Sequence, residues 1–290
     1  MVQKMKYLIL GSNGMAGHLI CQYLIEKGET VEAISRVKSK VCCTYIFDIS
    51  DFEKLHKIIL DGQYDIIVNC IGLLQRDCDD NIYNAIKINA LLPHFLVKVT
   101  KNMKTKIVHL STDCVFSGHK GSYKENDVKD GLSNYAKTKA LGEIDDNKNL
   151  TFRNSIIGPD IKENGTGLFH WFMGQDGNID GYSKSLWNGV TTLTLAKAIH
   201  SAVKQNLSGV YQLTSPQMIN KFELLNLFNL HRKNKIIINE VDGVCHDKSL
   251  VNTRQDFDFV IDDYENQINS MFGWINDHKE LYPKYKGMVK

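Results

Sequence analysis

The sequence predicts an α/β protein with a doubly wound parallel sheet and a smaller C-terminal domain. Short apolar runs alternate with helical patterns from residue 6 to about residue 155. The predicted strands are apolar along their whole length, which is typical of strands buried on both faces between helices. The first strand also runs directly into a glycine-rich turn and a helix, which is the opening unit of a doubly wound sheet.

Each element of the first domain follows from one apolar run and its periodicity. The predicted strands are residues 6–10, 30–34, 44–47, 66–70, 106–110 and 150–153. The predicted helices between them are residues 15–27, 52–60, 82–100 and 135–145. This order predicts a first domain over residues 1–157.

The pattern becomes less regular after Gly158-Pro159 breaks the chain, and glycine, asparagine and aromatic residues dominate from residue 164 to residue 189. A helix over 192–203 and a strand over 210–213 predict that the chain returns to the sheet between about 190 and 215. Helices over 222–228 and 264–278 belong to a smaller second domain, which takes most of residues 158–290. A ligand held by both domains is expected in the cleft between them.

Composition excludes several classes of protein. The 290 residues carry a net charge of +2 with both signs intermixed, so no basic surface for nucleic acid or an anionic membrane is expected. The apolar stretches are too short to span a membrane, and the N-terminus leaves no room for a signal peptide. Seven cysteines without a Cys-x-x-Cys pair indicate reduced thiols and no metal site. We therefore expect a cytoplasmic protein without a nucleic-acid or membrane partner.

Three glycines between the first strand and the first helix predict a phosphate-binding turn. Gly11 permits the tight turn, Gly14 lets a pyrophosphate approach, and Gly17 lets the helix pack on the strand. Asn13 and Met15 lie in the same turn, where the start of the helix offers free N–H groups to phosphate oxygens. The spacing is G-x-x-G-x-x-G rather than the general dinucleotide pattern G-x-G-x-x-G.

The end of the second strand is expected to select the cofactor. Glu32 lies inside this strand, too early to hold an adenosine ribose hydroxyl, whereas Ser35 and Arg36 at its end suit a 2′-phosphate. This favours NADPH and leaves NADH open. Asp48, after the third strand, either accepts a hydrogen bond from the adenine amino group or caps the following helix.

The pair Tyr135 and Lys139 predicts proton transfer to a carbonyl oxygen. Both side chains share a helix face, and the lysine charge is expected to lower the phenol pKa, which is about 10 in isolation. Thr112, just after the fifth strand, either orients the carbonyl oxygen or only caps the strand end. Tyrosine and lysine recur at this spacing at residues 23/27, 83/87 and 282/286, but only Tyr135 follows a strand, a polar stop and a glycine-containing loop.

Four groups of residues resemble the extended short-chain dehydrogenases/reductases. They are the glycine turn, Val68-Asn69-Cys70-Ile71-Gly72, Ser111-Thr112-Asp113-Cys114-Val115-Phe116, and Tyr135-x-x-x-Lys139 with Gly142-Glu143. Within that family the chain is most similar to the dTDP-4-dehydrorhamnose reductase branch, strongly over residues 5–160 and more faintly beyond. The resemblance implies a Rossmann core, a nicotinamide cofactor and a triad of Thr112, Tyr135 and Lys139.

The resemblance also implies contacts to the cofactor and to a nucleotide-sugar substrate. Lys139 is expected to contact the nicotinamide ribose, and Asn69, Cys70 and Gly72 are expected to line the cofactor. Asn89, in a predicted helix, either supports Lys139 or is structural. The substrate candidates are Cys114, Arg153, Trp187, Lys248 and Arg254.

Most of these substrate candidates have a structural alternative. Arg153 would otherwise pair with a local carboxylate, and Trp187 would otherwise lie in the core of the second domain. Lys248 and Arg254 either neutralise a substrate diphosphate or remain solvated surface charges. His109, in the middle of the fifth strand, is predicted to be a core histidine rather than a catalyst.

Cys114 argues against dehydration as the reaction of this protein. Sugar-nucleotide dehydratases of the family carry Thr-Asp-Glu, but Asp113 is followed here by Cys114, so the second carboxylate is missing. The resemblance therefore implies NADPH-dependent reduction of a nucleotide-linked 4-keto-6-deoxy sugar for surface polysaccharide synthesis. A sugar-nucleotide epimerase and a non-catalytic, NADP-binding regulatory subunit stay open as alternatives, and so does a homodimer.

Overall fold

A central parallel sheet organises the computed structural model, which describes residues 4–42 and 44–290. The strands are β1 Lys6–Leu10, β2 Thr30–Ser35, β3 Tyr45–Ile46, β4 Ile66–Asn69, β5 Lys106–Thr112, β6 Leu150–Asn154, β7 Ile156–Ile157, β8 Asn178–Tyr182, β9 Ser185–Trp187, β10 Val190–Thr191, β11 Gly209–Gln212, β12 Ile219–Asn220, β13 Ile237–Val241 and β14 His246–Asp247. Seven of them form one sheet in the order β11-β6-β5-β4-β1-β2-β3, and every neighbouring pair is parallel. The predicted doubly wound parallel sheet is confirmed.

Helices cover both faces of this sheet. They are α1 Met15–Glu26, α2 Phe52–Gly62, α3 Gln75–Asp80, α4 Ile82–Ala85, α5 Leu92–Thr100, α6 Asn134–Leu141, α7 Leu168–Met173, α8 Thr192–Lys204, α9 Lys221–Leu230 and α10 Tyr264–Asp277. One hydrophobic core lies between the sheet and α1, α8 and α10, and a second lies between the sheet and α2 and α5. Within the described ranges, no helix is long and apolar enough to cross a membrane.

The predicted helix over 82–100 is interrupted by a wide turn. Residues Ile86–Leu91 form a π-helical segment between α4 and α5. Pro93 gives a physical reason, because its ring has no N–H and collides with the carbonyl four residues earlier, which is that of Asn89. The wider turn leaves room there, and the Asn89 carbonyl faces Gly142, where a Cβ atom would lie only 1.9 Å away. The interruption therefore brings α6 close to this segment.

Several boundaries differ from the sequence prediction. Helix α6 ends at Leu141 instead of residue 145, because Gly142 caps it and the chain then turns so that Glu143 reaches the sheet. Helix α3 was not predicted, since its sequence is polar and short. The chain re-enters the central sheet through α8 and β11, and β11 pairs with β6. The remaining strands form three small sheets after β6.

Candidate functional site

Three loops meet at the carboxyl edge of the central sheet. They follow β1, β4 and β5, which are neighbours in the sheet, so their ends lie side by side. A Cβ atom at Gly11 would lie 2.8 Å from the Ile71 side chain, so the loops after β1 and β4 are in contact. This is the edge at which parallel α/β sheets bind their ligands.

The glycine turn after β1 has the geometry of a phosphate cradle. Gly11 has a φ of +89°, a conformation that favours glycine. A Cβ atom at Gly17 would lie 2.1 Å from the Gly11 carbonyl oxygen, so only glycine lets α1 start this close to the strand. Gly14 precedes α1, whose N-terminus has no side-chain cap among the described residues. The free N–H groups of that turn suit the pyrophosphate of a dinucleotide.

The other two turn residues connect the cradle to its surroundings. The Asn13 side-chain amide donates to the Val37 carbonyl oxygen at 3.0 Å and so joins the turn to the loop after β2. The Met15 sulfur lies on the other side, 3.3 Å from where a Cβ atom at Gly167 would be.

The end of β2 places a guanidinium near the cradle. Ser35 is buried and donates to the Val37 carbonyl oxygen, whereas the next residue, Arg36, is exposed. Glu32 is already engaged, since Tyr64 donates to it at 2.5 Å and Lys6 pairs with it at 2.8 Å. These contacts agree with the prediction that Glu32 does not hold a ribose.

Asp48 faces the same corner of the site. It accepts a hydrogen bond from the Ser50 backbone N–H at 2.8 Å. Its pKa is lowered by hydrogen bonds from Ser50 and by the positive charges of Arg36 and Lys87. The cap of the following helix is Asp51, which accepts from Lys54 N–H, so the capping alternative for Asp48 is taken by its neighbour.

The loop after β4 leaves room beside Lys139. The nearest atoms to a Cβ placed on Gly72 would be Asn89 Oδ1 at 3.6 Å and Lys139 Nζ at 3.9 Å. Asn89 holds this loop, since its Oδ1 accepts from Leu73 N–H at 2.8 Å and its Nδ2 donates to the Leu73 carbonyl at 3.0 Å. Asn89 therefore has the structural role that was one of its two predicted roles. Cys70 lies in the same loop, and burial raises the pKa of its thiol to about 12.

Tyr135 and Thr112 face each other at the end of β5. Ser133 caps α6 by accepting from Ala136 N–H, so Tyr135 falls in the first turn of that helix. The Thr112 hydroxyl donates to Asp113 Oδ1 at 3.0 Å and accepts from Cys114 N–H at 3.1 Å. Burial raises the pKa of Tyr135, and the hydrogen bond with Thr112 lowers it by less. The net direction is upward, which differs from the predicted lowering by Lys139.

Lys139 lies one turn further along α6, with its Nζ directed at the sheet. Its Nζ donates to the Leu110 carbonyl at 2.6 Å and lies 3.4 Å from His109 Nε2. Burial lowers the pKa of Lys139 to about 8, and the nearby Glu143 carboxylate offsets part of this effect. These contacts draw Nζ toward β5, which explains why Lys139 does not lower the pKa of Tyr135 in this arrangement.

Two lysines approach the other side of Asp113. Lys248 Nζ lies 3.7 Å from Cys114 Sγ, and its charge lowers the pKa of Asp113 against a larger rise caused by burial. The charge of Lys221, the first residue of α9, also lowers the pKa of Asp113. Its Nζ lies 4.8 Å from the centre of the Trp187 ring. Sequence reasoning did not identify Lys221, because only the fold brings α9 next to the loop after β5.

Three predicted substrate residues have other partners. Arg153 is buried and donates to both oxygens of Glu143, at 2.9 and 2.8 Å, which is its carboxylate-pairing alternative. Trp187 is buried, donates to Ser155 Oγ at 2.9 Å and packs on Tyr264. Arg254 donates to the Ser208 and Val210 carbonyls at the amino end of β11, the opposite edge of the sheet.

These placements reduce the number of candidate substrate-binding residues. Arg254 and Arg153 are not retained as substrate residues, because the first lies at the wrong edge and the guanidinium of the second is bound to Glu143. Trp187 is retained only as the support beneath Lys221. Cys114 and Lys248 remain beside Thr112 and Asp113, and burial raises the pKa of the Cys114 thiol to about 11.

The fold and this site define a Rossmann protein of the extended short-chain dehydrogenase/reductase type, with Thr, Tyr and Lys at the carboxyl edge of the sheet. More specifically, the chain belongs to the RmlD substrate binding domain family, whose family model matches residues 5–248. The predicted resemblance to this group of nucleotide-sugar reductases is thereby confirmed.

Individual relatives agree with this assignment. A probable low-salt glycan biosynthesis reductase of Haloferax volcanii is 28% identical over 139 residues, which are 47% of this chain and 46% of that protein. The chain thus matches about half the length of its curated relatives. A hypothetical dTDP-4-dehydrorhamnose reductase structure from Sulfolobus tokodaii has a TM-score of 0.75 at 25% identity, covering 89% of this chain and 98% of that one. The dTDP-4-dehydrorhamnose reductase of Bacillus anthracis, in complex with NADP, has a TM-score of 0.79 at 17% identity, covering 94% and 100%.

Proposed function

We propose that this protein is an NADPH-dependent reductase of a nucleotide-linked 4-keto-6-deoxy sugar, and that its product enters surface polysaccharide synthesis. One observation carries the proposal: Tyr135 meets Thr112 at the carboxyl end of β5, with Lys139 one turn behind it. The relatives named as dTDP-4-dehydrorhamnose reductases and as a glycan biosynthesis reductase support the choice of substrate class.

The cofactor would lie along the loops after β1, β2 and β4. The cradle of Gly11, Gly14 and Gly17 suits a pyrophosphate, because glycine at these positions lets the turn and the start of α1 pack closely together and present backbone N–H groups. Arg36 is exposed at the end of β2 and suits a 2′-phosphate, which supports NADPH over NADH. Gly72 leaves room for the nicotinamide half next to Lys139. NADPH supplies the hydride when it is bound there.

The residues of the chain then handle the carbonyl oxygen. Thr112 already donates a hydrogen bond, and a carbonyl oxygen in place of Asp113 Oδ1 would accept it and be oriented. Tyr135 keeps its proton at neutral pH, because burial raises its pKa, so it is poised to donate that proton to the oxygen. Lys139 would move from Leu110 toward the ribose and stabilise the phenolate that remains.

The substrate would extend from this point toward the second part of the chain. The charges of Lys248 and Lys221 both lower the pKa of Asp113, which is next to Thr112. Their charges suit the diphosphate of a nucleotide sugar. Cys114 stands where dehydratases of this type have a second carboxylate, so water loss has no acid–base pair here. Reduction needs no second carboxylate, so these residues support it.

The proposal is tested by following NADPH absorbance with a panel of dTDP- and UDP-linked 4-keto-6-deoxy sugars. We expect oxidation by the wild-type protein, and a fall of roughly 10²–10⁴-fold in Tyr135→Phe, the range typical of a general acid. Tyr83→Phe is the matched control, because Tyr83 is exposed and is followed by Lys87 at the same spacing, so its replacement should leave the rate unchanged. NADPH binding without oxidation of any sugar in the panel would contradict the proposal.

A further inference from the structure

His109 contacts the catalytic lysine, Lys139, from within β5. The proposed reaction does not use His109. The side chain is fully buried in β5. Its Nδ1 lies 3.1 Å from the Asn69 amide nitrogen, and its Nε2 lies 3.4 Å from Lys139 Nζ. The imidazole therefore joins the end of β4 to the lysine of α6.

The position of the His109 proton follows from the hydrogen bonds of Asn69. The Ile71 backbone N–H donates to Asn69 Oδ1 at 3.1 Å, which fixes the orientation of the amide. The Asn69 NH2 group must then face His109, so Nδ1 can only accept a hydrogen bond. The imidazole proton of neutral His109 is consequently on Nε2, the nitrogen that faces Lys139.

This tautomer constrains the charge of Lys139. An Nε2–H group pointing at Nζ can donate to a neutral amine, whereas an ammonium would set two donors against each other. The remaining Nζ contact, to the Leu110 carbonyl at 2.6 Å, is compatible with an amine that donates. Burial acts in the same direction, because it lowers the pKa of Lys139 to about 8 and so makes the amine accessible just above neutral pH.

The other groups around this pair do not change the conclusion. Burial holds the pKa of His109 well below its usual value, and a positive charge on Lys139 or His94 acts in the same direction, so the imidazole stays neutral. Glu143 and Cys78 face Lys139 and raise its pKa, but by less than burial lowers it. The hydrogen bond from His109 thus acts with burial in favouring the amine.

We propose that His109 is a positioning residue, held by Asn69 as its Nε2-protonated tautomer, which favours the amine form of Lys139 against β5. Where Lys139 is an amine, binding of NADPH requires it to take up one proton from solvent and to leave His109 for the ribose. The part that concerns NADPH rests on the proposed function, because it takes the ribose as the partner of Lys139. The tautomer itself does not depend on any activity.

The tautomer is tested by NMR of the whole protein carrying ¹⁵N-labelled histidine. A long-range ¹H–¹⁵N spectrum, assigned through the backbone, distinguishes a protonated Nε2 from a protonated Nδ1. We expect Nε2 to be protonated, Nδ1 to be bare, and neither signal to titrate between about pH 6 and about pH 8, because His109 stays neutral there. A protonated Nδ1 would overturn the proposal even if the protein proves to be a reductase.

The effect on Lys139 is tested by measuring NADPH affinity against pH. The protonated lysine binds the ribose, so wild-type affinity should change little below about pH 7 and should fall as pH rises through about 8, by roughly fivefold between about pH 8 and about pH 9. In His109→Gln the amide oxygen can accept from an ammonium, so the fall should begin at higher pH. His56→Gln, on the exposed face of α2, is the matched control and should behave as wild type.

Two results distinguish this proposal from the proposed function. An identical pH dependence in wild type and His109→Gln, with NADPH bound by both, would show that His109 does not set the charge of Lys139. Absence of NADPH binding at every pH would contradict the cofactor assignment instead, and the NMR result would still decide the tautomer. A folded His109→Gln protein is needed only for the affinity comparison.

Discussion

Replacing Arg153 by methionine tests whether this side chain supports the fold or the substrate site. The guanidinium and the Glu143 carboxylate are each 2% exposed, and two hydrogen bonds join them. Glu143 also accepts from Ser111 at 2.7 Å and from Lys129 at 3.1 Å. Because Ser111 and Arg153 are partners on β5 and β6, this carboxylate ties α6 to both strands.

The expected loss is large because the change leaves a buried carboxylate with fewer partners. Breaking one side of a buried ion pair costs about 3–5 kcal/mol of unfolding free energy. Lys129 and Ser111 remain, so we expect the unfolding free energy to fall by about 3 kcal/mol. This loss should lower the melting temperature by on the order of 10 °C. Replacing both members, as Arg153→Met with Glu143→Leu, should restore most of the loss, since no charge is then buried.

The loss should also depend on pH. Burial raises the pKa of Glu143, but Arg153, Ser111 and Lys129 together outweigh it and leave the pKa below its usual value. A carboxylate with a depressed pKa stabilises the folded state above its unfolded pKa of about 4.3, and this stabilisation is lost as pH falls. The difference between wild type and Arg153→Met should therefore be full at neutral pH and narrow below about pH 4.

Thermal unfolding followed by circular dichroism, together with NADPH titration of the same proteins, checks this reasoning. Arg76→Met is the matched control, because Arg76 is 93% exposed and should leave stability unchanged. We expect Arg153→Met to bind NADPH as wild type does at a temperature where both are folded. A normal melting temperature with impaired turnover would refute the structural role and return Arg153 to the substrate site.

Three further changes probe the cofactor site by fluorescence titration. Gly17→Ala should abolish NADPH binding, because the new Cβ would lie 2.1 Å from the Gly11 carbonyl oxygen. Gly72→Ala should keep the wild-type melting temperature, since the nearest described atom would be 3.6 Å away, yet weaken NADPH binding by about tenfold or more. Arg36→Met should weaken NADPH by about tenfold and leave NADH unchanged. Normal binding by Gly72→Ala, or an unchanged preference in Arg36→Met, would remove that residue from the proposed site.

Local sequence signals predicted much of the sheet and the cofactor side of the site. Strands β1, β4 and β5 each contain an apolar run, because they are buried on both faces of the sheet. Such runs can be recognised from the sequence alone. The glycines after β1 are equally local, because each answers a steric demand within its own turn. The helix over 82–100 was predicted as one element, since the effect of Pro93 on its preceding turn is a matter of detailed geometry.

The substrate side was harder to predict because it depends on distant segments. Arg254 and Lys248 are six residues apart and chemically similar, yet the fold sends Arg254 to the amino edge and Lys248 to Cys114. Lys221 approaches Asp113 from α9, more than a hundred residues away in the chain. The contact between His109 and Lys139 likewise joins two elements, and no pattern within β5 distinguishes His109 from an ordinary core residue.

The direct test of the central claim is the transfer of deuterium to the sugar from NADPH that carries deuterium at both hydrogen positions of C4. The account predicts one deuterium on the former carbonyl carbon of the product. The proton delivered to the oxygen exchanges with solvent and therefore carries no label. Tyr135→Phe should bind the labelled cofactor normally and yield almost no labelled sugar, whereas Tyr83→Phe should match wild type. A sugar product without deuterium, or equal labelling by Tyr135→Phe, would contradict hydride transfer assisted by Tyr135.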